Sequence, residues 1–243
     1  MTGSHPPIHD IADTAWWTAV YRARETDRKD ALFRDPFARR LAGERGAEIA
    51  AEAERQKGSE WSMAARTLLF DELILEQVAK GADMVVNLAA GLDARPYRLE
   101  LPSALTWVEV DLPGLLDYKT QVLSGERAVC ALERAPLDLS DAAARRDLFD
   151  RLGRRAARPL IVSEGLLIYL SHDEVGRLAR DLAAVSTFRR WILDLASPGL
   201  LRIMRKNLAS SSRRRARGWN SGPRRGRRSS RLTAGAPWMC GRC

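Results

Sequence analysis

The feature that most narrows how this chain can fold is MVVNLAAGLDARPYRLEL at residues 84–101, with Glu109-Val110-Asp111 close behind it. Residues 84–88 are a short apolar run bounded by polar residues, the pattern of a strand buried on both faces. The run breaks into Ala89-Ala90-Gly91, side chains small enough for a ligand to lie against the backbone. A second strand over 105–110 then brings the carboxylate of Asp111 to its C-terminal end. In an open parallel sheet, ligands sit outside the carboxyl ends of the strands. A small-residue turn and an acid there can grip a nucleoside, because an ionised carboxylate only accepts hydrogen bonds and suits a pair of ribose hydroxyls. Taken alone, the same residues also read as a tight turn and a solvated acid.

Strand and helix patterns alternate from residue 84 onward, which predicts a parallel α/β sheet. Strands are expected at 84–88, 105–110, 129–135, 160–163 and 191–195. Between them lie helices at 113–124, opened by a proline, and at 140–152, with Ser140 as N-cap and Gly153 as stop. A third, at 171–186, opens with Ser171 and Glu174 spaced as a capping box. Ahead of the sheet an amphipathic helix is expected at 10–26, then a turn or helix start at Asp35-Pro36-Phe37. Helices follow at 44–56 and at 62–80, the latter closed by Gly81. This divides the chain into a helical lid (1–82), a sheet core (83–206) and a tail (207–243).

Composition excludes several classes. No run approaches the roughly 18 unbroken apolar residues of a membrane span, and the N-terminus lacks the basic and apolar regions of a secretory signal. Three cysteines are too few for a disulfide framework, which points to the cytoplasm. Cys240-Gly-Arg-Cys243, without a second pair, reads as chance rather than a metal site. The net charge of +9 is unevenly placed: residues 205–243 hold twelve Lys or Arg and no acid. Subtracting that +12 leaves −3 for residues 1–204, so the basic character belongs to the tail.

Several segments together resemble one family. They are ARETDRKDALFRDPFARRL (23–41), VVNLAAGLDARPYRLEL (85–101), WVEVDLPGLLDYK (107–119), Leu137-Asp138-Leu139 and SEGLLIYL (163–170). In this order and spacing they resemble the leucine carboxyl methyltransferase family, and within it the bacterial O-methyltransferases associated with polyketide biosynthesis. The resemblance runs from about residue 11 to about residue 206. It implies a class I methyltransferase with a Rossmann-like sheet that binds S-adenosylmethionine. On that resemblance Ala89, Ala90 and Gly91 line the methionine part of the cofactor, and Asp111 holds the ribose hydroxyls. Asp138 and Leu139 frame the adenine. Glu164 lies near the methionine amino group, and Arg66 pairs with the methionine carboxylate, with Arg22 or Arg24 assisting. Without the resemblance, Asp138 and Glu164 read equally as strand-end caps, and Arg66 reads first as a solvated helix residue. Trp16, Trp17 and Tyr169 read more readily as core than as pocket, and Asp93 with Arg95 as a pair that stiffens the loop.

Two departures from the wider methyltransferase class stand out: Asn87 in place of an acid, and Ala89-Ala90 in place of glycines. The implied acceptor is the carboxylate of a small molecule or peptide, which is ionised at neutral pH and needs no general base. A phenol or alcohol would need one, and the sequence offers no convincing candidate. The basic tail suggests two alternatives, a nucleic-acid-binding arm and a solvated, disordered extension. A third reading is a frame-shifted C-terminus, since the final antiparallel strands of the family are not visible and weak turnover would follow. A dinucleotide-dependent oxidoreductase is disfavoured, because Ala89-Ala90-Gly91 lacks the spaced glycines a pyrophosphate requires.

Overall fold

The computed structural model of the chain describes residues 13–53, 60–196 and 199. The expectations for the basic tail at 207–243 lie outside the described residues. Every element below falls within the unit Met1–Pro198.

Five strands form one sheet: β1 (Met84–Leu88), β2 (Thr106–Asp111), β3 (Ala131–Pro136), β4 (Pro159–Ser163) and β5 (Arg190–Leu193). Their order is β3-β2-β1-β4-β5, and every pairing is parallel. β1 is central, with Val86 opposite Val108 on one side and Ile161 on the other. All five of its residues are buried, the polar Asn87 included.

The two-residue period of the strands sorts the core into layers. Met84, Val86 and Leu88 pack with Val108, Val110 and Ile161 under Leu148, Phe149, Leu152, Leu178 and Leu182. Those leucines and the phenylalanine come from α6 (Ala142–Arg155) and α7 (His172–Ala183). Val85, Trp107, Leu160 and Val162 face the other way, onto Phe70 and Ile74 of α3 (Glu60–Ala79). Each fully buried Leu, Ile or Phe contributes about 1.5–3 kcal/mol relative to exposure. A third cluster joins Ala19 and Val20 of α1 (Asp13–Asp27) to Leu41 and Ala42 of α2 (Ala38–Ala53). It also takes in Leu92, Ala94 and Leu115, the last from α5 (Pro113–Val122). So α3 is a layer on the sheet, whereas α1 and α2 pack over the loop that follows β1. A short helix, α4 (Arg95–Arg98), lies in that loop.

Three local expectations change. The N-cap of α6 is Asp141 rather than Ser140: its carboxylate accepts from Ala143 and Ala144 N–H at 3.0 and 3.1 Å. The helix then runs through Gly153 to Arg155. Gly153 is needed for close approach rather than as a stop, since a Cβ there would lie 2.2 Å from Val185 Cγ1. α2 begins at Ala38 and kinks at Gly43, whose φ of 54° a helix interior does not tolerate. The capping box of Ser171 and Glu174 forms as expected, and Gly81 closes α3 at φ 89°. No helix among the described residues is long and apolar enough to cross a membrane.

Candidate functional site

The strand order reverses at β1, so the carboxyl ends of β1 and β4 open a crevice at the switch point. The turn after β1 takes left-handed backbone conformations. Ala89 has φ 53°, the one non-glycine with positive φ among the described residues, and Gly91 follows at 52°. The left-handed region costs an L-residue about 1–2 kcal/mol, so neighbouring bonds must hold Ala89 there. Ala90 N–H donates to the Val110 carbonyl at 3.2 Å. Gly91 N–H donates to Asp111 Oδ2 at 2.7 Å, and Leu112 N–H to Asp111 Oδ1 at 2.7 Å. Asp111 thus clamps the turn with one lone pair on each oxygen and keeps the others for further donors. Burial raises its carboxyl above the usual range, an effect the two N–H donors oppose. α1 lies directly above: a Cβ on Gly91 would meet Ala15 Cβ at 3.4 Å.

Beside this turn sits a buried network of ion pairs. Arg95 pairs with Asp71 of α3 at 2.6 Å, Asp93 at 2.9 Å and Glu164, just past β4, at 2.8 Å. Arg66 of α3 pairs with the other Glu164 oxygen at 2.9 Å and with Asp194 at 3.2 Å. Burial opposes ionisation of Glu164, but Arg95 and Arg66 override it and hold the carboxyl below its usual range. Asp93 is likewise penalised by burial, and Arg95, Lys119, Arg22 and Arg98 reverse the effect and hold it low. Asn87 accounts for its own departure from the class pattern. It is buried, and its amide donates to Asp93 at 2.9 Å, where an acid would add a second negative charge.

The structure thus gathers Arg66, Ala89, Ala90, Gly91, Asp111 and Glu164 around the switch point. Asp138 and Leu139 follow β3, whose end is tied in by Leu137 N–H donating to the Asp111 carbonyl at 2.8 Å. Asp138 is exposed and accepts from Ser140 N–H at 2.8 Å. Leu139 packs at the margin of the α6–α7 core, and its carbonyl accepts from Arg145. Arg22 is engaged elsewhere, with Asp35 at 2.9 Å and the Leu92 carbonyl at 2.6 Å, and so fastens α1 to the loop. Trp16 packs in the third core cluster against Tyr118, with ring centroids 5.3 Å apart. The Tyr169 hydroxyl bonds Thr14 of α1 and is raised mainly by burial.

Sequence reasoning missed Asp71 and Asp194. Asp194 was hidden because the last strand was expected to run to residue 195. That strand ends at Leu193, which makes Asp194 a strand-tip acid like Asp111.

These donors and acceptors suit S-adenosylmethionine. Asp111 offers a carboxylate with lone pairs to spare, Arg66 a partly exposed guanidinium and Glu164 an acid, groups of the kind that vicinal hydroxyls, a carboxylate and an ammonium require. The family model described as leucine carboxyl methyltransferase matches residues 15–183. This chain belongs to the leucine carboxyl methyltransferase family.

Curated proteins resemble this chain along most of their length. A Frankia alni protein named as an S-adenosyl-L-methionine-dependent methyltransferase is 38% identical over 81% of this chain and 74% of its own. A Streptomyces coelicolor protein of the same name is 35% identical over 83% and 75%. A third, from Streptomyces avermitilis, is 34% identical over 76% and 71%. The five-stranded parallel sheet and the N-terminal helices are therefore those of a leucine carboxyl methyltransferase relative, with a Rossmann-like methyltransferase fold.

Proposed function

We propose that this member of the leucine carboxyl methyltransferase family is an O-methyltransferase that esterifies a carboxylate of a small molecule or peptide, with S-adenosylmethionine as methyl donor. Bound, that cofactor supplies a methyl group on a positively charged sulfur, already activated for transfer. The chain's own residues bind and orient. Asp111 accepts from the ribose hydroxyls, while Asp138 and Leu139 frame the adenine. Ala89, Ala90 and Gly91 offer backbone to the methionine part. Arg66 takes the methionine carboxylate, and Glu164 lies near the amino group. Together they set an approach in which reacting atoms stand about 3–3.5 Å apart.

The observation that carries the carboxylate reading is the state of the acids in the ion network. Asp93 and Glu164 resist protonation because guanidinium groups outweigh their burial. A carboxylate held below its usual range is a weaker base, so these two acids are poor proton acceptors for a phenol or alcohol. An acceptor that is already ionised needs none.

The test is transfer from methyl-labelled S-adenosylmethionine to panels of carboxylic acids, peptides, phenols and amines, followed by mild alkali. Methyl esters release volatile labelled methanol under these conditions. A product that keeps its label is an ether or an N-methyl group and would refute the carboxylate reading.

A further inference from the structure

We infer that Asp194, at the tip of β5, is a positioning residue for the amino-acid end of the methyl donor and acts through Arg66. The inference rests on the roles of Arg66 and Glu164 proposed above. β4 and β5 run in register with Ser163 opposite Leu193, so Glu164 and Asp194 are the next pair beyond the sheet. Trp191 Nε1 donates to Ser163 Oγ at 2.9 Å and fastens the two strands just below that pair. Two acids side by side would repel, and Arg66 pairs with both.

Each oxygen of Asp194 has a separate task. Oδ1 accepts from Gly165 N–H at 2.7 Å. Gly165 has φ 71° and directly follows Glu164, so this bond fixes the backbone from which Glu164 projects. A Cβ at Gly165 would lie 3.5 Å from Arg66 Nη1, which puts that backbone and the guanidinium against one another. Oδ2 accepts from Arg66 Nη1 at 3.2 Å while Glu164 Oε1 takes Nε at 2.9 Å. Two anchored nitrogens define the plane of the guanidinium. Nη2 makes no hydrogen bond among the described residues, and the side chain is 23% exposed. Asp194 therefore orients the donors of Arg66 that a methionine carboxylate would use.

The test compares two nucleosides by calorimetric titration into the full chain. S-adenosylhomocysteine carries the amino-acid end; 5′-methylthioadenosine has the same adenine and ribose but lacks it. Asp194→Ala should weaken S-adenosylhomocysteine about tenfold or more, the scale of a charged hydrogen bond. Binding of 5′-methylthioadenosine should stay within about twofold of wild type. Asp194→Asn keeps an acceptor for Gly165 and should lose less; being isosteric, it carries the test if the alanine variant does not fold. Arg66→Ala combined with Asp194→Ala should lose less than the sum of the two single losses, as expected where one residue acts in part through another. Equal loss for both nucleosides, or additive losses, would mean that Asp194 merely supports the fold. No loss in the Asp194 variants beside a clear loss in Arg66→Ala would overturn its role alone. Unchanged binding in Arg66→Ala would overturn the assignment of Arg66 and this inference with it.

Discussion

Asn87 shows how one amide settles a buried cluster. It donates to Asp93, which also accepts from Arg95 N–H and the Arg95 guanidinium, both at 2.9 Å. Asn87→Asp replaces a donor with a second acceptor and should destabilise the fold by about 1–3 kcal/mol. The new acid titrates above its ordinary range beside Asp93, so the deficit should shrink as pH falls and it protonates. Thermal unfolding of the variant and wild type at pH 7 and pH 5 checks both points. Gly153→Ala is the steric counterpart. A methyl placed 2.2 Å from Val185 Cγ1 forces the connection after α7 to move. The expected loss is about 1–3 kcal/mol, read as a lower denaturant midpoint.

Among the elements, α4 matters more than its four residues suggest. Arg95 at its start joins α3 through Asp71, the β1 loop through Asp93 and the end of β4 through Glu164. Arg95→Gln keeps some hydrogen bonding but leaves three buried or half-buried carboxylates short of their cation. Removing one partner from a buried pair typically costs about 3–5 kcal/mol, and a loss of that size is expected in denaturant titrations. α7 gives a contrasting, local case. Ser171→Ala removes the acceptor for Glu174 N–H at an exposed helix start. It should cost only about 1 kcal/mol and leave cofactor affinity unchanged.

For the whole molecule, the network sets the response to acid. Asp93 and Glu164 titrate below their unfolded values, so at low pH the unfolded chain binds more protons than the folded one. Their stabilisation is complete above the ordinary carboxylate range and is lost as pH falls through the lowered folded values. Asp111 is raised by burial, so its ionisation disfavours the fold and its protonation offsets part of that loss. Melting temperature should therefore hold near neutrality and fall below about pH 4, where unfolded carboxylates titrate. Arg95→Gln should flatten that acid limb, because Asp93 and Glu164 then titrate closer to their unfolded values. Differential scanning across pH 3–7 measures both slopes.

What sequence alone determined here is whatever depends on near neighbours. The mostly apolar run at 84–88 dictated a strand buried on both faces, and alternation with helices dictated a parallel sheet. Ser171 and Glu174 dictated a helix start. Asp111 was legible as a strand-tip acid because its strand was placed nearly correctly; Asp194 was not, because its strand was drawn two residues too long. The reason for Gly153, the amide at Asn87 and the convergence of Asp71, Asp93 and Glu164 on Arg95 were decided only in three dimensions. Periodicity and capping act along the chain within a turn or a strand repeat. Charge pairing and steric contact act through space between segments that meet only once the sheet has formed.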